Sequence, residues 1–312
     1  MSKTAVMFPG QGSQFVGMGK EFLAADRDAG DLMEMAESVS GFPLRRLCME
    51  GPLAELTRTV HLQPAVTTIN LLCWQAVRKS GLAVDYFVGH SLGEYSALSA
   101  AGVLIPWDTI SLVTERGRLM EREGEKNPGG MMAILGLTFA GVHEVLAALS
   151  GRGVVCAANY NSEQQVVISG DAVGLEEAAA AFTGRGAKAV PLQVSVANHS
   201  PLVAAAVPDF EKVMAGVSFQ PPAVPVLFNV TAEEEAGPAA IRSIMARQIA
   251  SPVRWYQIIN RLADNGVDTF VEVGPGTVLS RMLKRVLPRG TSFRSFQIDS
   301  PDKLQALHDK LA

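Results

Sequence analysis

Cysteine is scarce in this chain: Cys48, Cys73 and Cys156 are the three among 312 residues, and they stand far apart. With no CxxC spacing, neither a disulfide framework nor a cysteine zinc site organises the fold, and buried thiols in a reducing compartment are expected. An excess of positive charge is also lacking. Lys and Arg number 27 against 31 Asp and Glu, a net charge of -4, which leaves no basic face for a nucleic-acid backbone. No apolar run is long enough to span a membrane, and the one after Ser2-Lys3-Thr4 is too short for a secretion signal. A cytoplasmic chain off the membrane is therefore expected. The turn Pro9-Gly10-Gln11-Gly12-Ser13-Gln14 comes after an apolar strand, but it has neither the GxGxxG spacing nor the lysine of a phosphate loop, which argues against a nucleotide.

What is present is a core. Hydrophobic residues make up 48% and charged residues 19%, a globular balance, and the length suits one large α/β unit with an insertion or two domains. Strands are predicted over 5–8 and 84–88, with helices over 31–39 and 67–79, the second stopped by Gly81. From Asn127-Pro128-Gly129-Gly130 the pattern changes. Strand 131–135, helix 138–149, strands 154–159 and 165–169, helix 172–183 and strand 188–194 come in the order βαββαβ, the ferredoxin-like plan. The chain returns to the larger unit near Ala197. Val-rich runs at 224–230 and 267–273 read as strands of a buried parallel sheet, and Gly274-Pro275-Gly276-Thr277 turns the second into a helix through Arg285. The fold class is thus α/β, with a mainly parallel core sheet from 1–126 and 197–312 and an inserted ferredoxin-like subdomain at 127–196.

Gly89-His90-Ser91-Leu92-Gly93 sits between the strand 84–88 and a helix-like stretch from Glu94. GxSxG in that setting lifts a serine onto a strained turn with its hydroxyl free, while the helix N-terminus offers N–H groups to an oxyanion. A serine there also simply caps a helix. A second residue has to decide, and a serine nucleophile needs a base.

Five histidines compete. His308, near the C-terminus, and His143, within a helix of the insertion, are expected to face solvent, and His61 reads as a structural hydrogen-bonding residue. His90 adjoins Ser91 but points away from it, so it lines a site without reaching the hydroxyl. His199, in Ala197-Asn198-His199-Ser200-Pro201 at the junction of the two units, is the candidate base; a local turn bond is the alternative. No acidic residue stands out as a third member, so a backbone carbonyl would orient the imidazole. Arg116 projects from the apolar stripe of the helix 110–121, among Leu112, Val113, Leu119 and Met120, with no carboxylate one turn away. It either pairs with a distant acid, snorkels to the surface, or clamps a substrate anion.

Five ordered motifs spanning nearly the whole chain carry a family resemblance: Phe8 to Gln14, Gly89 to Glu94, Glu115-Arg116-Gly117, Asn198-His199, and Glu272-Val273-Gly274-Pro275-Gly276. Together they resemble malonyl-CoA:acyl carrier protein transacylases and the acyltransferase domains of polyketide synthases. The resemblance implies an α/β-hydrolase-like core with the ferredoxin-like insert, an acylated Ser91, His199 as its base, and Arg116 on the malonyl carboxylate. It further implies that Gln11 and Leu92 offer backbone N–H groups to the oxyanion, that Gln248 lies near the base, and that His90 faces substrate. Malonyl-CoA and an acyl carrier protein are the implied partners, in a ping-pong transfer that needs neither metal nor redox cofactor, and a monomer is expected. Asn198 departs from the Pro-Ser-His or Pro-Phe-His usual in fatty-acid members, which leaves α-substituted malonyl groups, and a polyketide or malonate-decarboxylase system, open. Outside that reading stand an acyl hydrolase, a transferase of uncharged acyl groups, and a non-catalytic carrier-protein docking subunit.

Overall fold

The computed structural model describes residues 2–288 and 290–311. Its elements begin with β1 (Lys3–Phe8), α1 (Lys20–Ala25), α2 (Arg27–Ser40), α3 (Leu44–Glu50), α4 (Leu53–Leu56) and α5 (Thr59–Lys79). The strand β2 (Tyr86–Gly89) leads into α6 (Gly93–Ala100), and α7 (Pro106–Lys126) closes the first part of the core. Then come β3 (Gly129–Leu135), α8 (Phe139–Ala147), β4 (Val155–Ser162), β5 (Gln165–Asp171), α9 (Ala172–Gly184) and β6 (Lys188–Pro191). The rest is α10 (Ala206–Ala215), α11 (Pro238–Gln248), α12 (Trp255–Asp264), β7 (Val267–Val273), α13 (Val278–Val286), β8 (Arg294–Ile298) and α14 (Pro301–Leu311).

The core sheet has the order β2-β1-β7-β8, and every pairing in it is parallel. Ala5, Val6, Met7 and Phe8 of β1 are wholly buried, which is why this strand reads as an unbroken apolar run rather than an alternation. The second sheet has the order β4-β5-β3-β6 with every pairing antiparallel, and α8 and α9 pack on it around Ile134, Val166, Ile168 and Phe182. That is the ferredoxin-like arrangement expected from βαββαβ. A two-way backbone bridge joins the sheets' units: Tyr160 N–H donates to Val253 O at 2.9 Å and Val253 N–H to Ala158 O at 2.8 Å.

Several elements differ from the sequence reading. Residues 226–229 of the run 224–230 are buried, but among the described residues its backbone pairs with β2 only at the bridge between Phe87 and Val226. Proline at 221, 222 and 225 removes ladder donors, and the chain doubles back at once, with Ala232 N–H on Phe228 O and Ala232 at φ 57. The strand expected over 188–194 ends at Pro191, although Leu192 N–H still reaches Met131 O at 2.9 Å. The helix expected from 67 begins at Thr59 and runs through Pro64, because burial of its face outweighs the hydrogen bond that proline forfeits. The first long helix begins at Arg27, not 31, capped by the Asp26 side chain on Asp28 N–H. Cys48 and Cys73 are buried, Cys156 only half so, and burial pushes their thiols up, Cys48 to about 12 and Cys156 to about 11.

Two close backbone crossings fix how the core helices meet β1 and one another. A Cβ on Gly93 would lie 2.0 Å from Phe8 O, so β1 and α6 approach only because Gly93 has no side chain. A Cβ on Gly117 would lie 2.9 Å from Thr59 O, where α7 crosses the start of α5. Gly30, inside α2, has nothing within 4 Å of a built Cβ. Chemical denaturation is therefore expected to show Gly30→Ala more stable by about 0.5–1 kcal/mol and Gly93→Ala less stable by about 3 kcal/mol or more. Equal midpoints for the two variants would contradict this account of the β1–α6 contact.

Candidate active site

Ser91 has φ 50, a left-handed conformation rare outside glycine, and stands on the turn between β2 and α6. The strain is held from three sides. Asn229 Oδ1 accepts the Ser91 N–H at 2.6 Å while its Nδ2 donates to Gly89 O at 2.7 Å, and Gln248 Nε2 donates to Ser91 O at 2.8 Å. Gly89 belongs to the same device, since a Cβ there would lie 2.1 Å from the Gly93 carbonyl carbon.

His199 Nε2 lies 2.8 Å from Ser91 Oγ, and its Nδ1 faces the carbonyls of Ser251 at 2.9 Å and Gln248 at 3.1 Å. Two acceptors at Nδ1 require the proton there, which leaves Nε2 unprotonated and able to take the serine proton. His199 itself has φ 58, and Ser200 just after it caps the short helical turn Pro201–Val203. Burial, reinforced by the Arg116 charge, lowers the His199 pKa to about 3.

Arg116 is 1% exposed and its partners are neutral: Nη1 donates to Gln63 Oε1 at 2.9 Å and Nη2 to Gln248 Oε1 at 3.1 Å. The same Nη2 is 3.4 Å from Ser91 Oγ, Nε has no partner, and the guanidinium lies 5.7 Å from the Tyr95 ring centre. Among the described residues no carboxylate lies within ion-pair distance of it, so neither the distant acid nor the surface accounts for this arginine. Glu94, wholly buried, accepts the Asn229 N–H at 2.8 Å and Gln248 Nε2 at 2.7 Å. Burial pushes its carboxyl up to about 8.

A Cβ on Gly10 would lie 3.4 Å from Leu92 N, so the loop carrying Gln11 abuts the first N–H of the elbow helix. Asn70 holds that loop, donating to Pro9 O at 2.9 Å and to Ser96 Oγ at 3.1 Å, and Gly274 leaves it room: a Cβ there would lie 2.0 Å from Asn70 Oδ1. A cleft of about 450 Å³ between the two sheets is lined by Gln11, His90, Asn159, Asn161, Gln193 and Met282 among others. His90 Nε2 meets Asn161 Oδ1 across it at 3.0 Å, and its ring packs edge-on against Trp255.

The chain that carries this serine on its strand-turn-helix, with a histidine brought from a second segment and a buried cation beside it, matches known proteins over nearly its whole length. The acyl transferase domain family matches residues 6–298. A malonyl CoA-acyl carrier protein transacylase of Bacillus subtilis is 39% identical over 98% of this chain and 96% of its own. The chain belongs to the acyl transferase domain family, among the malonyl-CoA:acyl carrier protein transacylases. The crystal structure of the transacylase from Xanthomonas oryzae superposes with a TM-score of 0.94 at 38% identity, covering 99% of this chain and 98% of that one. A malonyl-transacylase solved in complex with a type II polyketide acyl-carrier protein gives 0.94 at 34% identity, covering 99% and 100%.

Of the residues named from sequence, the transacylase fold gathers Ser91, His199, Arg116 and Gln248 into one hydrogen-bonded cluster, with Leu92, Gln11 and His90 around it. Asn198 is buried with Oδ1 unpartnered, and it is not among the residues lining the cleft. His61 is structural, its Nδ1 on Glu55 O; His143 is exposed; His308 is half-buried, more sheltered than expected. Sequence reasoning missed Gln63, Glu94, Asn161 and Asn229. An amide in an apolar run gives no periodic signal, although Gln63, one turn after the start of α5, stands out as a polar residue on a buried face.

Because the folded pKa of His199 lies below the ordinary 6.5, acid takes the base only near pH 3, and folding loses stability as pH falls from 6.5, where the unfolded chain binds the proton first. The rate of Ser91 modification by phenylmethylsulfonyl fluoride, measured from about pH 4 to 8, is expected to show no half-loss between about 6 and 7. An inflexion there would place the base in an ordinary histidine environment.

Proposed function

We propose that this chain moves a malonyl group from malonyl-CoA to the phosphopantetheine thiol of an acyl carrier protein, in fatty acid synthesis. The observation that carries the reading is Arg116: a fully buried guanidinium 3.4 Å from the nucleophilic hydroxyl, held by amides and paired with no acid. A buried cation without a counterion is costly, and a substrate carboxylate two carbons from the attacked carbonyl supplies the missing charge at that place.

In the first half-reaction, Ser91 Oγ attacks the thioester carbonyl while its proton passes to His199 Nε2. The backbone N–H groups of Gln11 and Leu92 receive the oxyanion. The carbon–sulfur bond breaks, and the proton on His199 goes to the departing CoA sulfur. The second half-reaction reverses these steps: the carrier thiol gives its proton to His199, its sulfur forms the new thioester, and Ser91 Oγ recovers the proton. The cleft's lining suits a pantetheine arm in kind: Gln11, Asn159, Asn161 and Gln193 offer carboxamides to its two amides, and Leu192 and Met282 offer apolar surface to its methyl groups. His90 and Asn161 line that path; Asn198, behind the base, is proposed to tune tolerance for an α-substituent.

The subdomain over 127–196 is proposed as the wall of this cleft that receives the pantetheine arm, the core over 1–126 and 197–312 as the chemical half, and the protein as a cytoplasmic monomer. Among the described residues no helix is long and apolar enough to cross a membrane.

Intact mass after exposure to malonyl-CoA is expected to show one malonyl adduct on the wild type and none on Ser91→Ala; an equal adduct on the variant would remove Ser91 as nucleophile. Arg116→Ala is expected to lose on the order of 10²–10³-fold in kcat/KM for malonyl-CoA, about 3–4 kcal/mol, and far less for acetyl-CoA. An unchanged malonyl-to-acetyl ratio would reject the clamp.

A further inference from the structure

The proposed mechanism leaves one wholly buried carboxyl group in the cluster without a task. Glu94 touches neither Ser91 Oγ nor His199; it contacts the two amide residues that do the holding. Its Oε2 accepts Gln248 Nε2 at 2.7 Å and its Oε1 accepts the Asn229 N–H at 2.8 Å. The Gln248 carboxamide stands between Glu94 and Arg116, with Oε1 on the guanidinium at 3.1 Å.

A carboxamide has nearly the same shape in both of its flipped orientations, so its neighbours decide which end faces which way. Arg116 has only donors and calls for the oxygen. Glu94, together with the Ser91 carbonyl at 2.8 Å, has acceptors and calls for the nitrogen. The second demand matters because a flipped Gln248 would set an NH2 against a buried guanidinium, leaving both donors unsatisfied and moving the clamp.

We propose that Glu94 is a positioning residue for acyl-group selectivity: through Gln248 it fixes the orientation of the amide that seats Arg116, and through Asn229 it ties that seat to the Ser91 turn. This rests on the malonyl reading of the site, and it assigns to a carboxyl group a share in recognising another carboxylate that it never touches.

Glu94→Gln presents an NH2 to Gln248 where an acceptor stood, while its own oxygen still serves Asn229. In the purified full chain, the ratio of kcat/KM for malonyl-CoA over acetyl-CoA is expected to fall at least about tenfold, mainly through KM for malonyl-CoA. In a Gln248→Met background the same change is expected to alter the ratio less than about twofold further, because the amide it orients is gone. Proportional losses on both substrates with the ratio kept, or full additivity with Gln248→Met, would overturn the proposal and leave Glu94 a packing role. Should Glu94→Gln fail to fold in a thermal melt, Glu94→Asp carries the test: it keeps the carboxyl group but withdraws it by one methylene, and a ratio equal to wild type would overturn the proposal. A wild type that does not itself prefer malonyl-CoA would instead count against the malonyl reading.

Discussion

The constraint on which this site depends is the burial of one positive charge without a negative one. A guanidinium cannot shed its proton to escape a dry environment, so the fold must surround it with oxygen acceptors or with an electron-rich ring. Here the acceptors are the amides of Gln63 and Gln248, and the ring is Tyr95. They solvate the charge without cancelling it. A carboxylate in either amide's place would bind Arg116 more tightly and leave nothing for a substrate anion. Gly117 makes the arrangement reachable, because α7 can press onto α5 only at a residue without a side chain, and that contact brings Arg116 beside Gln63.

The nucleophile is built on similar terms. Ser91 and His199 both sit at positive φ, which costs on the order of 1–3 kcal/mol each and persists only where surrounding bonds over-determine the backbone. For Ser91 those bonds come from Asn229 and Gln248, residues far away in sequence. For His199 the orienting group is main chain, the carbonyls of Gln248 and Ser251. That segment continues to Val253, which is bridged in both directions to β4 of the second sheet. His199 is thus tied to the second sheet, one wall of the cleft, and the two sheets have to hold their relation for the Ser91–His199 contact to stay in register.

Legibility from sequence runs along physical lines. The elbow, the parallel sheet and the βαββαβ insert are readable because each writes a local signature: a glycine spacing, an apolar run, an alternation of element types. Arg116 is readable because a charge in an apolar stripe violates a period. The alternatives for it, a distant acid or a snorkelling stem, need three dimensions to close. Residues 224–230 mislead, since a buried apolar run looks alike in a strand and in a turn-bound strip, and what decides is the engagement of Asn229 with the elbow rather than with a ladder. Asn161 and Asn229 leave no trace, and Gln63 only that of a polar residue on a buried helix face, because an amide's role lies in its partner, and each partner comes from a distant segment. Glu94 stands inside a recognisable motif, yet nothing local shows that its carboxyl is buried or that both its oxygens are taken.

The charge of Arg116 and the basicity of His199 are coupled, and on the proposed reading the coupling favours one class of substrate. Burial is the larger cause holding His199 down, and the field of Arg116 is the next. On the malonyl reading proposed above, an anion seated on Arg116 offsets that field and makes His199 more basic as it takes the serine proton. An uncharged acyl group of the same length would enter the same cleft and meet the same nucleophile, but it would leave the guanidinium uncompensated and the imidazole a weaker base. On that reading, recognition of the carboxylate acts on the proton transfer as well as on binding. The neutral amides around Arg116 are what make this possible, because only an unneutralised cation has a field for the substrate to remove.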